Sequence, residues 1–145
     1  MKTTVIAWTL ALAACGAWAQ SSPAGLWKTI DDNTKKERSL VRISEAGGVY
    51  TGRIEKGLDP ASDASAVCDK CTDDRKGKPL IGMVLIRNIK QNADDKDIFD
   101  GGDITDPDNG KVYRLRLKPL DEGRKLEVRG FIGPFYRNQT WQRVE

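Results

Sequence analysis

The sequence predicts an all-β domain, an antiparallel up-and-down barrel of eight strands. Three observations lead there. Glycines and Asp/Asn clusters interrupt the chain at short intervals, and the runs between them are rich in Val, Ile, Leu, Tyr and Thr, which is the spacing of strands joined by turns. After the first twenty residues no stretch of ten or more holds apolar side chains at the i, i+3, i+4, i+7 spacing of a helix. Eight such runs in a meander leave two open edges unless the first and last pair, and closure removes edges that invite aggregation. A barrel of that size is just wide enough to be filled by side chains or to hold one small ligand.

The N-terminus reads differently. Lys2 is followed by an apolar run at 5–14, the first acidic residue is Asp31, and Ala17-Trp18-Ala19 places small residues where a signal peptidase reads. This predicts a cleavable signal peptide over 1–19, cut before Gln20, with a single barrel domain over 20–145 in the bacterial periplasm or outside the cell. The run is too short to span a hydrocarbon core of about 30 Å as a helix. Leu12-Ala13-Ala14-Cys15 resembles a lipobox, so a second route has Cys15 lipidated and the domain anchored to a membrane.

The strands follow in order. Residues 25–30 carry Leu26, Trp27 and Ile30 and end at Asp31-Asp32-Asn33. Residues 39–44 place Val41 and Ile43 on one face, and Ala46-Gly47-Gly48 turns them into 49–55, where Tyr50, Gly52 and Ile54 share a face. A polar segment of over twenty residues follows at about 57–79, longer than an ordinary hairpin loop. The nearly continuous apolar run at 80–86 reads as a fourth strand covered on both faces. The fifth, at 97–104, contains Gly101-Gly102, a sign of a bulge or close backbone approach. Asp106-Pro107-Asp108-Asn109-Gly110 is a strong turn. The sixth, at 112–117, alternates Tyr113, Leu115 and Leu117 against Arg114 and Arg116. The seventh, at 125–131, alternates Leu126 and Val128 against Glu127 and Arg129. The eighth, at 139–144, carries Trp141.

The composition excludes several chemistries. The chain has no histidine, which removes the commonest general base and the commonest zinc ligand and rules out Ser-His-Asp or Cys-His catalysis within it. Loss of Lys2 with the leader takes the net charge from +3 to +2. The charges are mixed along the chain, so nucleic acid is not an expected partner. Cleavage before Gln20 leaves Cys68 and Cys71, a C-x-x-C pair in a polar loop. In an oxidising compartment this reads first as a structural disulfide; a redox pair and a metal site are the alternatives. The aspartates between Asp94 and Asp108 do not fit a calcium loop, because Gly110 stands where a third ligand belongs and Leu117 where the glutamate belongs. Arg114, Arg116, Arg129, Arg137 and Arg143 read either as an anion-binding face or as an outer surface paired with Glu127. No metal and no cofactor are expected.

Taken as an ordered set, Gly25-Leu26-Trp27-Lys28, Ser39-Leu40-Val41-Arg42-Ile43, Cys68-Asp69-Lys70-Cys71, Lys76-Gly77-Lys78-Pro79-Leu80-Ile81-Gly82, Asp106-Pro107-Asp108-Asn109-Gly110-Lys111, Leu126-Glu127-Val128-Arg129-Gly130 and Gln139-Thr140-Trp141 resemble domain-of-unknown-function family 2147 of exported bacterial proteins. That resemblance carries no catalytic residues. Gly25-x-Trp27 also resembles the first-strand signature of lipocalins and other calycins. This implies a lipocalin/calycin-like barrel in which the tryptophan closes one end beneath an arginine of the last strand, Arg143 or Arg137. Trp27, Trp141 and Arg143 are the candidate closing residues. The expected function is non-catalytic binding of a small ligand, with Tyr50, Ile54, Tyr113, Leu115 and Leu126 as inward candidates. The alternative is a protein-interaction or inhibitor module of the cell envelope that meets an envelope protein through the Cys68–Cys71 loop.

Overall fold

A computed structural model describes residues 21–145. The signal peptide at 1–19, cleavage before Gln20 and lipidation at Cys15 lie outside the described residues. The strands β1 (Gly25–Ile30), β2 (Glu37–Ala46), β3 (Val49–Gly57), β4 (Val84–Gln91), β5 (Phe99–Thr105), β6 (Val112–Leu120), β7 (Lys125–Ile132) and β8 (Phe135–Arg143) close into one antiparallel barrel in chain order. A single 3₁₀ turn (Asp121–Gly123) joins β6 to β7.

Seven strands overlap the runs read from sequence over most of their length, while the fourth is displaced. It was expected at 80–86 and occupies Val84–Gln91. Leu80 to Met83 form a turn instead: Gly82 adopts φ +86° and the Met83 N–H donates to the Leu80 carbonyl. The polar half of β4 escaped the pattern because Asn88 sits in the left-handed region at φ +60°. That kink breaks the alternation, so Ile86 and Ile89, three residues apart, are both fully buried. β5 accommodates the kink at Gly102, where a Cβ would stand 1.9 Å from the Arg87 carbonyl oxygen. β8 also starts earlier than expected, because Gly133 at φ +54° turns the chain tightly enough for Phe135 and Tyr136 to pair with Ile132 and Phe131.

The up-and-down order sorts the connections between two ends. The joins at 31–36, 58–83, 106–111 and 133–134 gather at one end. The joins at 47–48 and 92–98, the 3₁₀ turn, residues 21–24 and Glu145 gather at the other. The second end is plugged. Trp27 is wholly buried there, its indole Nε1–H donates to the Pro23 carbonyl at 2.8 Å, and the Arg143 guanidinium lies 4.3 Å above its ring. Arg143 also donates to the carbonyls of Gly123, Ala24 and Ser22. Burial lowers its pKa, yet guanidinium stays charged. Its planar fork thus fixes the start of β1, the end of β8 and the β6–β7 turn together.

Two outcomes follow for stability. Arg143→Lys keeps the charge but cannot span three carbonyls, and should cost about 2–3 kcal/mol in urea unfolding. Gly102→Ala should cost on the order of 3 kcal/mol, because backbone rather than a movable side chain occupies the space; a shift below about 0.5 kcal/mol would contradict the close approach.

Candidate functional site

The end of the barrel opposite the plug is hollow. A cavity of about 800 Å³ opens there. Its walls include Val41 on β2, Ile54 on β3, Leu85 on β4, Tyr113 on β6, Val128 on β7 and Trp141 on β8. The period of two places Tyr113, Val128 and Trp141 on the inner face, and a register shift that pairs Gly52 with Ile86 but Arg53 with Val84 leaves Leu85 between them in the same lining. The polar atoms within are mostly partnered to each other. The Thr29 and Ser39 hydroxyls meet at 2.8 Å, the Trp141 indole donates to Gln139 at 3.1 Å, and Gln139 donates to Asp32 at 2.8 Å. Thr105, 1% exposed in the same wall, carries a hydroxyl with no hydrogen-bond partner among the described residues.

A charged collar surrounds the mouth. Arg38 lies between Asp108 at 2.5 Å and Asp31 at 3.9 Å. Arg137 lies between Asp32 at 3.4 Å and Asp106 at 3.7 Å. These two groups tie the β1–β2 and β5–β6 connections to β2 and β8. Asp31 is held below the usual carboxylate range, chiefly by the backbone N–H of Thr34. Desolvation works against the Arg38 charge, but the hydrogen bond and charge of Asp108 outweigh it and leave its pKa raised.

The long β3–β4 connection forms one side of the mouth through Asp59, Ser62, Asp63, Leu80 and Ile81, and it is tied down. Cys68 and Cys71 form a disulfide, and both are buried. The loop docks on the β5–β6 turn so closely that a Cβ on Gly110 would stand 1.8 Å from the Lys70 carbonyl oxygen. Beneath it, Arg75 is 4% exposed, pairs with Asp73 at 2.5 Å and donates to the Val84 carbonyl. Arg87 pairs with Asp74. A ring closed over two intervening residues contributes little chain entropy, about 2 kcal/mol by loop length, so its main effect is local rigidity.

The sequence-derived candidates divide. Ile54 and Tyr113 line the cavity. Leu115 and Leu126 are inward but belong to the filled core and do not line it, and Tyr50 packs edge-on against Phe99 at 5.2 Å. An inward face extends along a whole strand whereas the cavity takes only part of the barrel's length, which is why one face supplied both kinds. The plug arginine is Arg143; Arg137 sits at the mouth. Trp27 belongs to the plug and Trp141 to the cavity wall. Arg114, Arg116 and Arg129 are not a free anion-binding face. Arg116 and Arg129 pair with Glu127 at 3.5 and 3.6 Å, Arg114 and Arg116 lie over the Phe131 ring, and Arg129 lies over Tyr136. The sequence marks Val41 and Val128 only as face residues and Asp31, Asp32, Asp106 and Asp108 only as turn residues, and assigns Leu85 and Arg38 no role in the site. The collar pairings join residues up to seventy or more positions apart, and no local signal marks them.

A plugged, hollow, eight-stranded antiparallel barrel with Gly-x-Trp on its first strand defines a lipocalin-like protein. Residues 25–143 match the family described as "uncharacterized protein conserved in bacteria", domain-of-unknown-function family 2147, and the chain belongs to it. Among solved structures it is similar to protein HP1028 from the human pathogen Helicobacter pylori, described as belonging to the lipocalin family. The TM-score is 0.72 and the identity 18%, over 86% of this chain and 84% of that one. At that identity the likeness is one of fold. No curated protein matches the chain.

The loop anchor has a pH signature. The Asp73 carboxyl is held down to about 2 from an ordinary 3.8, first by the side-chain hydrogen bonds from Arg75 and then by the Arg75 backbone N–H. A carboxylate depressed in the folded state stabilises above its unfolded pKa and loses that contribution as pH falls through the folded one. Stability should therefore drop between about pH 4 and pH 2, and less steeply in Asp73→Asn. Identical acid slopes for the two proteins would show that the pair contributes nothing.

Proposed function

We propose that this chain is an exported, non-catalytic barrel that holds a small, largely apolar molecule in the cavity lined by Val128 and Trp141. The observation that carries the reading is the cavity itself. Its volume of about 800 Å³ lies in the range of sites that enclose a drug-sized ligand, and such sites combine apolar walls with a few polar groups. The signal-peptide pattern at 1–19 supports a periplasmic or secreted location, where a binding protein would meet exogenous or envelope-derived molecules. The absence of histidine supports a binding role over acid–base catalysis. So does Asp31 at the mouth, whose pKa is pushed away from neutrality and not toward it.

Native mass spectrometry of the protein purified from exporting cells tests the proposal. A retained molecule of a few hundred daltons is expected, and Val128→Trp, which fills the cavity, should reduce its occupancy at least tenfold while leaving the barrel folded. Loss of no ligand on filling the cavity would place the molecule elsewhere and overturn the reading.

The exposed side chains of Phe135 (73%) and Tyr136 (60%) at the β7–β8 tip favour one second reading, an interaction module for an envelope protein. Its contact surface would be this tip beside the mouth, or the Cys68–Cys71 loop, whose residues apart from Cys68, Cys71 and Arg75 are mostly exposed. Binding to a partner from envelope extract that is abolished by Phe135→Ser with Tyr136→Ser would support it; binding unaffected by that pair would exclude the tip.

A further inference from the structure

We propose that the cavity selects amphiphiles whose head group carries a positive charge and rejects anions of the fatty-acid type. The inference rests on the ligand-binding reading above and concerns the charge of the mouth. An apolar cavity open at one end takes a ligand tail first and leaves its head at the rim. A rim built for a carboxylate or phosphate head presents unpaired arginine or lysine there. This rim has two lysines, Lys36 and Lys56, but carboxylates outnumber its cations. Both arginines that reach the mouth are flanked by two carboxylates each: Arg38 by Asp31 and Asp108, and Arg137 by Asp32 and Asp106. Each group therefore carries one excess negative charge, and an anion approaching either guanidinium meets two carboxylates beside it.

The remaining charges at the rim do not reverse this. Glu37 pairs on its outer side with Lys28 at 2.7 Å, and Glu55 with Arg42 at 2.9 Å, which Glu145 shares at 2.6 Å, so neither adds positive charge to the rim. Lys36 and Lys56 line the mouth without an ion pair among the described residues, and their charges are balanced in number by Asp59 and Asp63 in the same lining. The excess at the mouth, two negative charges, thus comes from the two arginine-centred groups, although the chain as a whole is positive. At the mouth end of β5, next to Asp106, the buried Thr105 hydroxyl has no partner among the described residues, and its oxygen can accept from an ammonium N–H. Charges a few ångströms apart at a half-open site interact far more strongly than in bulk water, so a head group of either sign is sorted by this rim.

Isothermal titration at about pH 8 and low ionic strength, with dodecylammonium and dodecanoate as probes of equal chain length below their micellar concentrations, tests the proposal. Dodecylammonium is expected to bind at least tenfold more tightly. Salt near 1 M, where screening acts within about 3 Å, should bring the two within about threefold. Asp32→Asn with Asp108→Asn leaves one carboxylate on each arginine and keeps amide oxygens in the same places; this variant should lose most of the preference while binding both chains. Equal or tighter binding of dodecanoate by the native protein would overturn the proposal and leave the ligand-binding reading standing, as would a preference unchanged in the double variant. Binding of neither probe would overturn both.

Discussion

Closure of the barrel depends on the seam between β1 and β8. That seam is short: two residue pairs, Trp27 with Arg143 and Lys28 with Gln142, against eight between β7 and β8. Two ladder pairs are a weak edge by themselves. The Arg143 guanidinium completes the junction by covering Trp27 and fixing three carbonyls from both flanks of the seam. The buried cluster of Ile43, Ile86, Ile89, Phe99, Leu117 and Leu126 can be dry and close-packed only if this ring stays shut, and a dry core contributes most of the stabilisation available to a domain of this size. One side chain thus links the terminal strands to the interior.

The mouth is stabilised by different means. Its connections have little apolar surface to bury, so ion pairs, Asx turns and one disulfide hold them. Asp31 accepts from the backbone N–H groups of Asn33 and Thr34, and Asp106 from that of Asp108, and the same carboxylates pair with Arg38 and Arg137. The groups that shape the loops therefore also charge the rim. Exposed pairs of this kind add little to global stability; their effect is to position the walls of an opening that no core packing would support.

Much of the barrel was legible in the sequence because a strand with one buried face writes its period into its residues. β6 and β7 are the clearest, with Leu115, Leu117, Leu126 and Val128 inward and Arg114, Arg116, Glu127 and Arg129 outward. β4 was misplaced because Asn88 adopts a left-handed backbone that alternation cannot anticipate, and because the apolar run at 80–83 belongs to a turn. The candidate site was legible only in part. Periodicity says which face a residue takes but not how far along the barrel it lies. Arg137 and Arg143 show this: six residues apart on one face of β8, they stand about 20 Å from each other, one at the mouth and one in the plug. The hollow follows from strand stagger and from the bulk of side chains contributed by every strand, and no short segment encodes either.

The up-and-down order also determines how the molecule can be held. Residues 21–24 run beneath Arg143, and the Glu145 carbonyl accepts from Leu26 beside them, so both ends of the described chain leave from the plugged face. A resin, a fused reporter or a surface attached at either end points the opening away from the support. Immobilised formats can therefore be built without a linker long enough to wrap around the barrel, and two such barrels joined end to end would present their openings in opposite directions.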